Sequence, residues 1–294
     1  MTELNDEGYR TLSELDKLIL QASTVIITCL SVLYFVYFND LFIAIYGIGS
    51  FLLAIFIIGE DPPSPIRKDS VIEDPLVESA IVLLVFLDWT LLVAPSFNLA
   101  NIAIVTGSLI FAFAIPLLFM VVFRENKISS LGFNLSDIEK SSPLTVSILV
   151  SLIIGFIIRL LLGQNSLEFF GSQDIHRELL SGIITMAVIP ALIEEFIFRG
   201  IMQDRLSYRM RSRVGGIVTT TMVFAALHLF TVASGFELYQ GGLAYPLLHA
   251  LLTRLPLGLI LGMIWDKSRS LIPVFLIHFT NNAVYLILQT AATV

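Results

Sequence analysis

Two adjacent acids interrupt an apolar run at Ile193-Glu194-Glu195-Phe196-Ile197-Phe198-Arg199-Gly200. On a helix Glu195 and Arg199 are four residues apart with the acid on the N-terminal side, the favourable order for an ion pair. Glu194 then points about 100° away from that pair. That direction is the one expected of a carboxylate set aside as a general base. The competing account makes all three residues one interfacial salt-bridge network. A second pattern is Phe224-Ala225-Ala226-Leu227-His228, where Phe224 and His228 share a face and the ring can shield the imidazole from water. A third is His278-Phe279-Thr280-Asn281-Asn282, which puts an imidazole and an amide on one face. That pair could aim at an anionic oxygen, or His278 could bind a metal. Its structural alternative is polar glue between helices, worth about 0.6 kcal/mol per bond. Together the patterns supply a base, a water site and an oxyanion stabiliser, which are the parts peptide hydrolysis needs.

These groups must be positioned by elements that live in lipid. Of 294 residues, 56% are hydrophobic and 14% charged, against roughly a quarter charged in an average soluble domain. A net charge of −7 argues against nucleic acid, which wants a basic face. One cysteine, Cys29, excludes an intrachain disulfide framework and any paired-cysteine metal site. Nine runs approach the length needed to cross a bilayer, about 20 residues. They are Leu18–Phe38, Leu41–Gly59, Ala80–Phe97, Ile102–Phe123, Pro143–Gly163, Leu179–Phe198, Gly215–Phe236, Leu243–Trp265 and Leu271–Val294. Strand-like alternation is weak, which disfavours a β-barrel. The first run follows a polar stretch and lacks a small-x-small cleavage site, so it reads as a span and not a signal peptide.

Lys and Arg set the orientation. Alternate loops hold 14 against 1, with Arg159 and Arg254 left inside spans. The expected fold is therefore an all-α polytopic membrane bundle of 8–9 transmembrane helices with a cytoplasmic N-terminus. Residues 1–142 carry helices without a motif, and residues 143–294 carry the chemistry. Ionisable groups inside spans cost about 2.5–3.5 kcal/mol each. The set is Asp88, Arg159, Glu194, Glu195, His228, His249, Arg254 and His278. Asp88 is expected to neutralise Arg159 or Arg254, and His249 to bond a neighbouring helix. Gly258 and Gly262 form a small-xxx-small surface for close helix contact. The basic run Arg205–Arg213 is expected to continue the sixth helix past the membrane face.

Glu194-Glu195-xxx-Arg199, Phe224-xxx-His228 and His278-xxx-Asn282 resemble the three signature motifs of the CAAX protease and bacteriocin-processing (CPBP, or Abi) intramembrane proteases. The type II CAAX prenyl endopeptidases are the eukaryotic relatives of that family. Gly258-xxx-Gly262 followed by Ser270-Leu271-Ile272-Pro273 and then His278 adds to the likeness. The resemblance covers residues 180–288. It implies that Glu194 activates the attacking water with help from His228, and that His278 and Asn282 stabilise the oxyanion. Glu195 and Arg199 would hold the first Glu in place, with Phe224 supporting. The family is often labelled a metalloprotease, and Glu194, His228 and His278 could serve as zinc ligands. No His-Glu-x-x-His helix is present, and the reading favours no tightly bound metal.

The implied activity is an intramembrane endopeptidase of a plasma membrane, with its site opening to the cytoplasm. Its partners would be membrane lipids and a peptide or prenylated, membrane-associated protein substrate, of CAAX or leader-peptide type. The alternative is a non-proteolytic scaffold or bacteriocin-immunity protein on the same fold. A transporter ranks last, because internal repeats and paired broken helices are missing.

Overall fold

Apolar runs of this length satisfy their own backbone hydrogen bonds only by coiling, because hydrocarbon offers none. The computed structural model describes residues 14–38, 48–49, 71–89, 101–135, 138–162, 173–234 and 244–292, and every regular element among them is helical. In chain order these are α1 (Glu14–Phe38), α2 (Pro75–Leu87), α3 (101–123), a 3₁₀ turn (Ile128–Leu131) and α4 (Ile138–Leu162). They continue with α5 (173–203), α6 (Asp204–Met210), α7 (Arg213–Ser234), α8 (Ala244–Ser268) and α9 (Leu271–Ala292). Residues 41–47 and 50–59 of the run Leu41–Gly59, and the side chains of Arg159 and His249, lie outside the described residues. Asp88 is exposed.

Three helical stretches among the described residues are long and apolar enough to cross a membrane: Asp16–Leu33, Ala103–Phe123 and Leu180–Met210. Shorter apolar stretches lie at Pro75–Leu87, Ser141–Ile154 and Leu271–Val284. Ionisable and polar residues such as Arg213, His228 and Arg254 dilute α7 and α8, although both are 22 residues or longer. Many outward-facing side chains are apolar, as suits contact with lipid. Val25, Ile26, Val32, Leu33 and Val36 are exposed on α1, and Ile110, Phe111, Leu118, Val122 and Phe123 on α3.

The chain divides into two units. The first (Met1–Arg67, Asp74–Leu76 and Met202–Lys267) contains α1, α6, α7 and α8 up to Lys267. It is tied by buried polar groups. Asp16 on α1 accepts from the Ser212 hydroxyl and from the Val214 N–H at 3.3 Å, capping the start of α7. Trp265 Nε1 donates to Asp204 Oδ1 at 3.0 Å, Gln203 Nε2 donates to the Gly262 carbonyl at 2.8 Å, and Arg213 pairs with Asp266. The basic run does continue as helix, through Met210, until Arg211 turns left-handed at φ 50°. The small-residue surface also makes its close contact, with Gly258 against Thr221 and Gly262 against Ile217.

The second unit (Lys68–Glu73, Val77–Ile201 and Ser268–Val294) sets α5 between α3 and α9, with α4 packed on α9. α5 starts as α-helix over Gln173–Met186 and then widens into π turns over Ala187–Glu194 and Phe196–Gln203. Glu195 is the single residue joining the two wide runs. Such π segments concentrate at functional positions in helices.

Gly216 lies where α7 crosses α6. A Cβ there would come within 2.7 Å of the Ser207 backbone nitrogen and 2.8 Å of its Cα. Gly216→Val is therefore expected to destabilise the protein by about 1–3 kcal/mol, the usual cost of overpacking. The readout is the unfolding midpoint in detergent relative to wild type.

Candidate active site

The interior around Glu195 is apolar and aromatic. Ile193, Phe196, Ile197 and Phe198 are buried on α5. Phe196 meets Phe113 at 4.9 Å and Phe133 at 5.7 Å between ring centroids, and Phe198 meets Phe86 edge-on at 6.0 Å. Into this lining the chain places three ionisable side chains that are each 0% exposed: Glu195, Arg199 and His278.

Their geometry is connected. Arg199 Nε stands 3.3 Å from Glu195 Oε2, the i,i+4 pair that the spacing suggested. The other carboxylate oxygen, Oε1, lies 2.6 Å from His278 Nδ1. Glu195 thus joins α5 to α9 with one carboxylate, taking a cation from its own helix and an imidazole from the neighbour. A buried charge needs such partners, because the desolvation penalty is several kcal/mol per ion. The Arg199 guanidinium also lies over the Phe198 ring, 5.9 Å from its centroid, a cation–π contact.

One helical turn beyond His278, Asn282 is buried on the same face of α9. Its Oδ1 accepts from Asn281 Nδ2 at 3.3 Å, so its own amide nitrogen is the donor end. Glu194 is half-buried, with Oε2 out of reach of solvent. The structure therefore gathers Glu194, Glu195, Arg199, His278 and Asn282 within the second unit. Phe224 and His228 are carried by α7 of the first unit. There the Phe224 and His228 rings stand 4.6 Å apart, and His228 Nδ1 contacts the Phe224 carbonyl at 2.9 Å. That bond fixes the imidazole on the helix and makes Nε2 its outward nitrogen.

Of the possible zinc ligands Glu194, His228 and His278, the last has its Nδ1 committed to Glu195. Glu195 already uses its two oxygens on Arg199 and His278. Among the described residues no group of three or more His, Cys, Asp or Glu side chains is placed to hold a metal ion. The Glu195–His278 bond had no signal in the sequence, since its partners stand 83 residues apart. Gln203, buried against Gly262, was equally invisible as a polar residue within a helical run.

Fully buried carboxylate, imidazole and guanidinium groups thus converge from two apolar helices. Residues 176–284 match the family model of the type II CAAX prenyl endopeptidases, described as Rce1-like. This segment is just over a third of the chain and contains all seven candidate residues. At the level of the family the match supports a membrane-resident protease of CAAX type. No curated protein and no solved structure matches the chain.

Removing one member of a buried ion pair leaves its partner uncompensated, at a cost of about 3–5 kcal/mol. Arg199→Met is expected to destabilise the protein on that scale, and Glu195→Gln added to it to recover part of the loss. Chemical unfolding of the two single variants and the double variant in detergent measures both effects.

Proposed function

We propose that the protein is an intramembrane endopeptidase that hydrolyses a peptide bond with a water activated by Glu194. The observation that carries this reading is the fully buried Glu195–Arg199–His278 cluster inside the Rce1-like segment. Ionisable groups are retained in an apolar interior at a standing cost, and function is the common reason.

In the proposed reaction the Glu194 carboxylate takes a proton from water as the water oxygen attacks the scissile carbonyl carbon. The C=O π electrons move onto the carbonyl oxygen, giving a tetrahedral oxyanion. His278 and Asn282 donate to that oxygen. With Nδ1–H held on the Glu195 carboxylate, the ring must be the imidazolium form, whose Nε2–H is the donor that would reach the oxygen, and the Asn282 amide lies one turn along the same helix. Collapse of the intermediate breaks the C–N bond, and the proton held by Glu194 passes to the leaving amine. His228 assists in holding the water. Glu195 and Arg199 are positioning residues: the carboxylate fixes the imidazole ring and the guanidinium fixes the carboxylate.

The setting proposed for this chemistry is a plasma membrane. Eight or nine spans with the N-terminus inside would put Glu194 about 5 residues and His278 about 7 residues from the cytoplasmic face, about 7–10 Å deep at 1.5 Å per residue. A membrane-associated peptide substrate, prenylated at a CAAX end or carrying a leader, suits a site at that depth.

Cleavage of a farnesylated CAAX peptide and of a leader-type peptide, by protein in detergent or liposomes, tests this reading. Glu194→Ala is expected to lower kcat by roughly 10²–10⁴, the usual contribution of a general base. Asn282→Ala is expected to lower it by about 10²–10³, the usual worth of an oxyanion donor. Wild-type rates in both Glu194→Ala and His228→Ala would contradict the mechanism.

A further inference from the structure

The geometry points to residues Ser129–Asn134, outside the segment that matches the family, as a clamp that sets the register of Glu195 against His278. This assignment rests on the proteolytic reading only for its consequence in catalysis. The clamp itself is a matter of hydrogen bonds and close contacts.

The loop touches both helices of the site near their working residues. On the α5 side, the Leu131 carbonyl oxygen would stand 2.9 Å from a Cβ on residue 200, so the backbone of α5 approaches the loop more closely than any side chain permits. Gly200 directly follows Arg199, and Leu131 itself is buried. Phe133 adds its ring against Phe196, the residue after Glu195. On the α9 side, the Gly132 carbonyl accepts from the Leu271 N–H at 3.0 Å, satisfying a donor in the first turn of the helix. Asn134 Nδ2 donates to the Arg269 carbonyl at 2.8 Å, and Ser270 Oγ donates to the Asn134 carbonyl at 2.8 Å.

The loop can do this because of its own backbone. Gly132 sits at φ 96°, a conformation that side chains disfavour. It donates to Ser129 to close the turn at 3.3 Å, and Ser130 Oγ donates to the Lys127 carbonyl at 2.7 Å. Across from it, Arg269 also adopts positive φ, turning the chain so that Ser270 faces the loop.

The consequence is mechanical. Leu271 lies seven residues before His278, about 10 Å along α9 at 1.5 Å per residue, and Gly200 lies five residues after Glu195. A sliding of α9 past α5 would therefore break the loop contacts and stretch the 2.6 Å Glu195–His278 bond together. Displacement of about 1 Å in a reacting group is enough to cost on the order of 100-fold in rate. Residues that touch neither substrate nor water thus hold the imidazole in place, as positioning residues.

The test uses the full-length protein in detergent with [¹⁵N]histidine labelling. The Nδ1–H resonance of His278 is assigned by its absence in His278→Gln. Asn134→Ala and Ser270→Ala are expected to shift or broaden that resonance and to lower kcat roughly tenfold or more, with KM within about twofold, as expected of misplaced groups. Ser270→Thr keeps the hydroxyl and is expected to restore both readouts. An unchanged His278 resonance in a folded Asn134→Ala protein would overturn the clamp, whatever the peptidase rate. If the resonance responds as expected while the wild-type protein cleaves no peptide, the clamp stands and the proteolytic reading fails.

Discussion

A single carboxylate, Glu195, carries the connection between the two helices of the site. It is wholly out of solvent and holds Arg199 on one oxygen and His278 on the other. In an apolar interior such a charge is tolerable only when its partners are fixed, because an uncompensated one costs several kcal/mol. The rest of the second unit follows from that requirement. Aromatic residues from α2, α3 and the 3₁₀ loop close around α5, and α9 must lie at the depth that brings its histidine to the carboxylate. The wide turns on either side of Glu195 belong to the same constraint, since they alter which side chains of α5 face α9.

Charged residues in this chain are scarce, and the structure uses the buried ones in two ways. In the first unit Asp16, Asp204, Arg213 and Asp266 tie helix ends and helix faces with direct bonds to Ser212, Val214, Trp265 and each other. Those contacts join parts of the chain up to 198 residues apart and account for their own burial. In the second unit the Glu195 cluster also joins helices, but it adds an imidazole with a second nitrogen and neighbours it with Glu194 and Asn282. The proposed site rests on that difference in chemistry, and not on burial alone.

Much of this was legible in the residues, for identifiable reasons. The helical class followed from apolar runs near bilayer length, and the ion pair of Glu195 with Arg199 followed from a spacing of four. Local periodicity also placed His278 and Asn282 on one face and matched Phe224 to His228. The signature motifs pointed to the same family as the match over residues 176–284. Periodicity says nothing about contacts between distant elements. The Glu195–His278 bond, the Asp16 cap on α7 and the contact of Leu131 with Gly200 each join elements far apart in the chain. The π turns of α5 were hidden for another reason: residue types there suit an ordinary helix equally well, and tertiary packing decides the turn width.

The central claim is that this site cuts proteins in the membrane of the cell that makes it. Comparative membrane proteomics of wild-type cells and cells carrying Glu194→Ala at matched expression tests it most directly. The account predicts at least one membrane-associated precursor that accumulates uncut in the variant, with its processed form present in wild type. Identical termini across the two membrane proteomes, with the variant protein folded and present, would contradict it.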